Sequence, residues 1–390
     1  MEADFDTIVL GLGAMGSAAA YQLAKRGNKV LGIDQFSPPH SYGSSHGDSR
    51  LTRQAIGEGS QYTPLSLRSY ELWREIEKET GKKFLNITGG LIISQTTGTG
   101  AHHGVENFFD NTIAAAKQYG IRHDILDAPA IRKRFPQFDI KDDEIGYYEY
   151  NAGFVEPEEC IAATLSLALK YGAKFHVNEK VKSFTEENGV VSVITDKGKY
   201  SAKKLIVSAG AWVPQLLGEE YSPLFSICRQ VMYWFDIKNG SGQFSPGKFP
   251  VFIWRLQGEE QGIYGFPAMD GVAGGVKIAT NQYKVTTTAD EVERDVSEQE
   301  IQQMYERYVR PYFPGLTGKS IRAIACLYTV TPDFGFIIDR HPKYPSIIIA
   351  SPCSGHGFKH SAAIGEVLSQ IIIDGKSKID IEDFKINRFL

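Results

Sequence analysis

"DTIVLGLGAMGSAAAYQLAKRGNKVLGIDQF", residues 6–36, decides the fold class. Ile8, Val9 and Leu10 make a short unbroken apolar run, the mark of a strand covered on both faces. A glycine turn follows, then a helix of small residues that Lys25, Arg26 and Gly27 bring to a stop, then a second strand closed by Asp34. Gly11, Gly13 and Gly16 keep the G-x-G-x-x-G spacing. The first permits the tight turn, the second lets backbone approach a pyrophosphate, and the third lets helix pack on strand. The helix start offers free N–H groups and the positive end of its dipole to phosphate oxygens. Asp34 places a carboxylate where ribose hydroxyls can donate to it. Ala14, Met15 and Gln35, beside these positions, are counted with them as cofactor-binding residues. A glycine turn without a ligand would leave Asp34 unexplained. The pattern predicts a dinucleotide site and does not separate NAD from FAD.

Working outward, 390 residues predict two domains. A net charge of −4 argues against a nucleic-acid or anionic-membrane surface, which needs a basic excess. The start, "MEADFDTIVLGLG", carries acids where a secretory signal carries Lys or Arg, and no apolar run approaches the roughly 20 residues of a membrane helix. The end, "KINRFL", is no lipidation or retention signal. Cysteines 160, 228, 326 and 353 form no C-x-x-C pair and have no zinc-like histidine spacing. A cytoplasmic protein with reduced thiols and no metal is expected.

"YTPLSLRSYELWREIEKETG" predicts a helix with Thr63 as N-cap, Pro64 at the first helical position and Gly81 as its stop. "GGLIIS" is a strand, 105–119 is helical, and "EPEECIAATLSLALKYGA" is another helix. Short strands follow, Val181 among them, up to "KLIVSAGAW", where a strand runs into small residues around Gly210 that suit close ligand approach. Residues 220–330 are aromatic and strand-like, and "YPSIIIASPCSGHGFKHSAAIGEVLSQIIIDG" is strand, glycine-rich loop, helix. Dinucleotide-domain features thus recur at both ends and in the middle, with β-rich material between, which implies two interleaved domains.

In order along the chain, "IVLGLGAMGSAAAYQLAKRG", "PPHSYGSSHGDSRLTRQAIGEGSQYTPLSLRSYELW", "YGFPA", "ACLYTVTPDFGFIIDRHP", "SGHGFKHSAAIGEVLSQ" and "INRF" resemble the monomeric sarcosine oxidase and N-methyltryptophan oxidase group of FAD amine oxidases, to which pipecolate oxidases are related. The resemblance implies an α/β fold: a Rossmann-type FAD domain (1–80, 155–215, 325–390) interleaved with an antiparallel-sheet substrate domain (81–154, 216–324). It implies an FAD-dependent oxidoreductase that acts on the CH–NH group of a secondary amino acid with O2 as acceptor and H2O2 as product, as a monomer. Cys326 falls on the cysteine that binds the flavin 8α-methyl as a thioether, although an isolated cysteine is ordinarily a buried structural one. Arg50, His46, Ser44 and Ser49 fall on positions about the flavin, Arg50 and His46 being counted as catalytic together with Lys277, and Val181, Gly210, Gly355 and Gly357 are added to the cofactor set. Arg53 and Lys359 fall on the pair that holds the substrate carboxylate, a task suited to a guanidinium fork. Lys359 is counted with the cofactor residues too. Lys277, in "AGGVKIAT", matches the lysine associated with oxygen activation, where an ammonium would lower the energy of superoxide. Tyr264 and Tyr328 would line the substrate pocket, with core packing as their plain alternative.

Ser45 stands where a second histidine is usual, Asn281 where a pocket histidine is expected, and Pro352 and Cys353 where Gly and an aromatic or aliphatic residue are usual. These departures bear on substrate identity more than on reaction class. Three other readings remain open at this level: a pipecolate- or proline-type oxidase, an FAD-dependent dehydrogenase passing electrons to another acceptor, and a flavin-binding protein without activity.

Overall fold

The computed structural model describes residues 3–96, 102–259 and 262–390. Two large sheets organise it. The first has a parallel centre in the order Lys174–His176, Val30–Ile33, Phe5–Leu10, Lys199–Val207, Tyr344–Ser351. An antiparallel hairpin, Val181–Glu187 and Val190–Thr195, joins one side, and Ile337–His341 pairs antiparallel with Tyr344–Ser351. Both faces of the centre are covered: Val9, Ile206 and Ile348 face one apolar cluster, while Ile8, Leu10, Leu205, Val207, Ile347 and Ile349 face another. This two-sided burial is why the central strands are runs of Ile, Val and Leu instead of alternating patterns.

Helix Ala14–Lys25 lies on one face, against Pro157–Lys170 and Ser361–Asp374. Small residues set how close these helices come, since a Cβ on Gly365 would meet the Ala18 backbone at 2.5 Å. Helix Thr63–Thr80 packs on Ser361–Asp374. Thr63 is not its N-cap: a 3-10 turn, Ser60–Tyr62, runs straight into the helix and already gives Tyr62 helical dihedrals. Gly81 ends it in the left-handed region, at φ 72°.

The second sheet runs Thr286–Thr287, Ser226–Ile237, Val276–Thr280, Ile263–Phe266, Val251–Trp254, Gly90–Gln95, Glu144–Glu149, His123–Asp127. Leu316–Val330 pairs with Ser226–Ile237 over nearly its whole length, so the boundary expected at 324/325 falls inside one strand of this sheet. Every pairing is antiparallel except Val251–Trp254 with Gly90–Gln95. Side chains alternate across it. Tyr233, Phe235, Val276 and Ile278 join the aromatic core that holds Phe138, Phe252, Trp254 and Phe313. Met232, Trp234, Ala279 and Cys326 face the other way, with Tyr264 packed against them. A three-stranded sheet, Arg50–Thr52, Gly153–Val155, Leu85–Ile87, adjoins this face. Among the described residues no helix is long and apolar enough to cross a membrane.

Candidate active site

Two cavities meet between the sheets. The first is a groove that runs from the glycine turn past Asp34 and Ser44 to Arg50, Tyr328 and Gly355. Its residues fit a dinucleotide. Gly11 has φ +84°, and a Cβ there would lie 2.5 Å from the carbonyl oxygen of Ser208, so glycine is required. A Cβ on Gly16 would lie 1.7 Å from the carbonyl oxygen of Gly11, which is the close helix–strand contact the motif demands. Gly13 caps the first helix without a side-chain hydrogen bond, so the N-terminal N–H groups are left to a ligand. Asp34 accepts from the N–H of Leu12 (2.7 Å) and of Phe36 (2.8 Å), and a carboxylate so held keeps lone pairs for ribose hydroxyls. Ala14, Met15, Gln35, Val181, Gly210 and Gly357 also line this groove.

The second cavity is lined by Arg53, Glu58, His103, Tyr264, Asn281 and Lys359, with Cys326, Ser49 and His102 also on its wall. Arg50, Tyr328, Gly355 and Phe358 line both cavities and so mark their junction. Arg50 is held by the carbonyl oxygens of Ser44 (2.8 Å) and Ser49 (2.9 Å), and its guanidinium sits 3.5 Å from the sulfur of Cys326. Cys326 is 2 % exposed and lines the second cavity from the large sheet, its sulfur 3.6 Å from the carbonyl oxygen of Ser44. Gly355 is a glycine for room: a Cβ there would come within 2.8 Å of the Tyr328 ring and 3.3 Å of His103 Nε2.

The expected pair of cations is present with a third partner that the sequence reading missed. Arg53 donates to the carbonyl oxygen of Ala55 and to the carboxylate of Glu58, all buried. Burial opposes ionisation of Glu58, but Arg53 and Lys359 together hold its carboxyl well below the usual range. Lys359 donates to the carbonyl oxygen of His356 at 2.6 Å. Burial pushes its ammonium down to about 7, with Glu58 acting against that and Arg53 adding to it. Ligating atoms of Glu58, His102 and His103 lie within 4.8 Å of one another, but the Glu58 carboxylate is already engaged by the Arg53 guanidinium and by His103, which begins a hydrogen-bonded array.

That array continues across the cavity. Asn281 turns its Nδ2 to His103 Nε2 (3.2 Å), which makes Nε2 the acceptor and leaves Nδ1–H to donate to Glu58 Oε1 (3.0 Å). Tyr328 donates to Asn281 Oδ1 (3.1 Å), and Tyr264 lies 3.4 Å from the Tyr328 hydroxyl. Burial raises both tyrosine pKa values and lowers that of His103, so these groups are neutral. His103 also stacks on His356, with centroids 5.1 Å apart.

Three expected residues line neither cavity: Gly16, whose part is the helix–strand contact, and Lys277 and His46. Lys277 is 2 % exposed and donates to the carbonyl oxygens of Gly47 (2.7 Å) and Ser49 (2.9 Å) and to the Ser49 hydroxyl (3.2 Å). Burial first, then Arg50, pushes its pKa well down. His46 is buried beside the same loop, pushed to about 3 chiefly by burial. Glu58, His102 and His103 had little signal. Glu58 lies five residues past Arg53 inside a quoted block, and the histidine pair sits in the glycine- and threonine-rich "TGTGAHHGVEN" without metal spacing.

Comparison with known proteins agrees with this geometry. A family model described as FAD dependent oxidoreductase matches residues 6–371. The chain is 40% identical to a monomeric sarcosine oxidase of Streptomyces avermitilis, over 96% of this chain and 95% of that protein. It is 34% identical to the N-methyl-L-tryptophan oxidase of Escherichia coli strain K12, over 99% of each. Among solved structures, an L-proline dehydrogenase from P. horikoshii superposes with a TM-score of 0.81 at 23% identity, over 100% of this chain and 98% of that one, a likeness of fold.

Proposed function

The chain belongs to the FAD dependent oxidoreductase family, and from that premise we propose that it oxidises the C–N bond of a small N-methyl or cyclic amino acid with O2, giving an imine that water hydrolyses and H2O2. The names of its relatives bring the substrate class. The observation that carries the reading is the junction: a cavity holding two buried cations opens onto a dinucleotide groove beside a cysteine. FAD, when bound, supplies the redox chemistry, taking hydride equivalents from the carbon next to nitrogen and handing electrons to oxygen.

The chain's own residues bind and orient. The glycine turn and first helix would hold the diphosphate, Asp34 a ribose, and Cys326 the flavin through a thioether, with Arg50 supplying the positive charge that favours a nucleophilic sulfur. Arg53 and Lys359 would take the substrate carboxylate. Because Glu58 now occupies Arg53, the incoming carboxylate has to displace it. Tyr264 and Tyr328 would bound the space for the amine. Lys277, fixed behind the Ser49 loop, would lower the energy of negative charge developing on oxygen. Residues 1–80, 155–215 and 325–390 would form the FAD unit of a cytoplasmic monomer, and 81–154 and 216–324 the substrate unit, except that the strand Leu316–Val330, paired along Ser226–Ile237, stays whole in the substrate unit. Anaerobic mixing with sarcosine, N-methyltryptophan, pipecolate and proline tests the reading: at least one should bleach the flavin, and bleaching by none would overturn it. Peroxide formed in air separates an oxidase from a dehydrogenase.

A further inference from the structure

We propose that His103 is the catalytic base that takes the ammonium proton of the bound amino acid, with Glu58 and Asn281 as the residues that position it. The inference rests on the functional reading above and deepens it. An amino acid arrives at neutral pH with its nitrogen protonated, and loss of hydride from the neighbouring carbon needs a free lone pair on that nitrogen. Some group in the cavity has to receive the proton.

The hydrogen-bond directions single out one acceptor. The Nδ1–H of His103 is committed to Glu58; its ring lines the cavity with Nε2 beside Gly355, and among the described residues the amide of Asn281 is the one hydrogen-bond partner of Nε2. The charged and titratable groups facing this ring are Glu58, Arg53, Lys359, His102, His356 and Tyr283. Glu58 is shared between Arg53 and His103. When a substrate carboxylate takes Arg53, the Glu58 charge loses that partner, and His103 is the neutral base already hydrogen-bonded to it. Lys359 is the other base in the cavity, but as the second partner of the carboxylate it is held protonated.

The charges then balance. The substrate carboxylate pairs with Arg53 and Lys359, the imidazolium of His103 pairs with Glu58, and the amine is neutral. One N–H bond breaks at the substrate, its electron pair staying on the amine; one forms from the Nε2 lone pair, and nothing is oxidised or reduced. Asn281 accommodates both states. Rotating its amide turns Oδ1 to the new Nε2–H and Nδ2 to the Tyr328 oxygen, so Tyr328 donates to Tyr264; the three bonds from Nε2 to Tyr264 are kept with their direction reversed, while Nδ1–H still donates to Glu58. A lysine or an aliphatic residue at 281 has no such pair of states.

Two measurements on the holoenzyme test this. Under anaerobic conditions with saturating sarcosine, the limiting rate of flavin bleaching in the natural protein should change little between about pH 7 and pH 9. In His103→Gln it should be lower at pH 7 and climb about tenfold per pH unit toward the ionisation of the amine itself. Parallel profiles in the two proteins would overturn the proposal. Independently of turnover, protein with 15N-labelled histidine is titrated with 2-aminoisobutyrate, an amino acid with no hydrogen on the carbon next to nitrogen. One imidazole Nε2 should pass from bare to protonated, an effect missing in His103→Gln and not produced by isobutyrate. No change at any imidazole counts against His103. Should His103→Gln fail to fold, Asn281→Leu keeps the ring and Glu58 but removes the acceptor for Nε2–H, and its rate profile should tilt the same way; an unchanged profile overturns the idea. If none of the four amino acids bleaches the natural protein, the functional reading falls, and this inference with it.

Discussion

Glu58→Gln probes the ion pair at the centre of the substrate cavity. Arg53 is 3 % exposed and Glu58 7 %, so the guanidinium left by the substitution has no access to bulk water. Removing one partner of a buried pair costs about 3–5 kcal/mol. Glutamine still accepts one hydrogen bond from Arg53, which returns about 1 kcal/mol. The ligand-free variant should therefore be less stable by about 2–4 kcal/mol and melt several degrees lower. Binding moves the other way. A carboxylate entering the natural protein must break the Arg53–Glu58 attraction, worth about 4 kcal/mol for charges some 4 Å apart at an effective dielectric near 20, and recovers part of that as Glu58 keeps its bond from His103. Without that competitor a simple carboxylate such as isobutyrate should bind about 10–100-fold tighter, or about 1.4–2.7 kcal/mol. The assay is a pair of thermal melts and a titration followed by flavin absorbance at pH 7. In the variant, isobutyrate should raise the melting temperature by more than in the natural protein and close most of the gap between them. An unchanged melting temperature together with equal or weaker isobutyrate binding would refute the view that Glu58 holds the place of the substrate carboxylate.

Three further outcomes follow from the same geometry. Acid-denatured natural protein should carry the mass of one FAD, and Cys326→Ser should lose it; retention of the flavin mass in the variant would move the attachment elsewhere. Lys277→Met should slow reoxidation of the reduced enzyme by O2 by about 10²–10³-fold with anaerobic bleaching little changed, as read by stopped flow; loss confined to bleaching would refute its role. Lys359, held near 7 by burial, is a base whose folded pKa lies below its ordinary 10.5. Its penalty is in full force below about pH 7 and is relieved as pH rises toward 10.5, where the unfolded chain binds more protons, so stability should climb through that window. Carboxylate binding then takes up a proton above pH 7, and isobutyrate affinity should fall by up to about tenfold per pH unit, a dependence that Lys359→Met should flatten.

The parts of the site that were legible in the sequence are those whose chemistry is local. Gly11, Gly13, Gly16 and Asp34 belong to one strand–turn–helix unit, so spacing alone foretells their local geometry. The sheet-borne residues Tyr264, Lys277, Cys326 and Tyr328 carry no local signal; a β-strand offers each side chain either face, and the family resemblance, not periodicity, singled them out. The structure supplies the face, by setting Tyr233 and Phe235 into the aromatic core and so turning Met232 and Trp234, together with Cys326, the other way. Glu58, His102 and His103 were illegible for a different reason. They meet because the segment before helix Thr63–Thr80 and the turn at His102–Val105 come together at Glu58, and no sequence period records such a meeting. Thr63 failed as a cap for a local reason, a 3-10 turn that had already set helical dihedrals before it.

Charge explains why an amino acid, and not a simple amine, suits this cavity. Arg50, Arg53 and Lys359 line it, and among the described lining residues Glu58 is the one carboxylate. Three basic side chains against one acid in a buried space leave an excess of positive charge that an anionic group relieves, and burial separately pushes Lys359 toward its neutral form. An amine without a carboxylate has nothing to offer Arg53 and would bring a further positive charge past Arg50. A zwitterion brings the missing anion first, frees Glu58 to face His103, and by doing so creates the base that its own ammonium needs. Recognition of the acid group and preparation of the amine are thus one electrostatic event, and the residue that couples them is the glutamate that occupies the site until the substrate arrives.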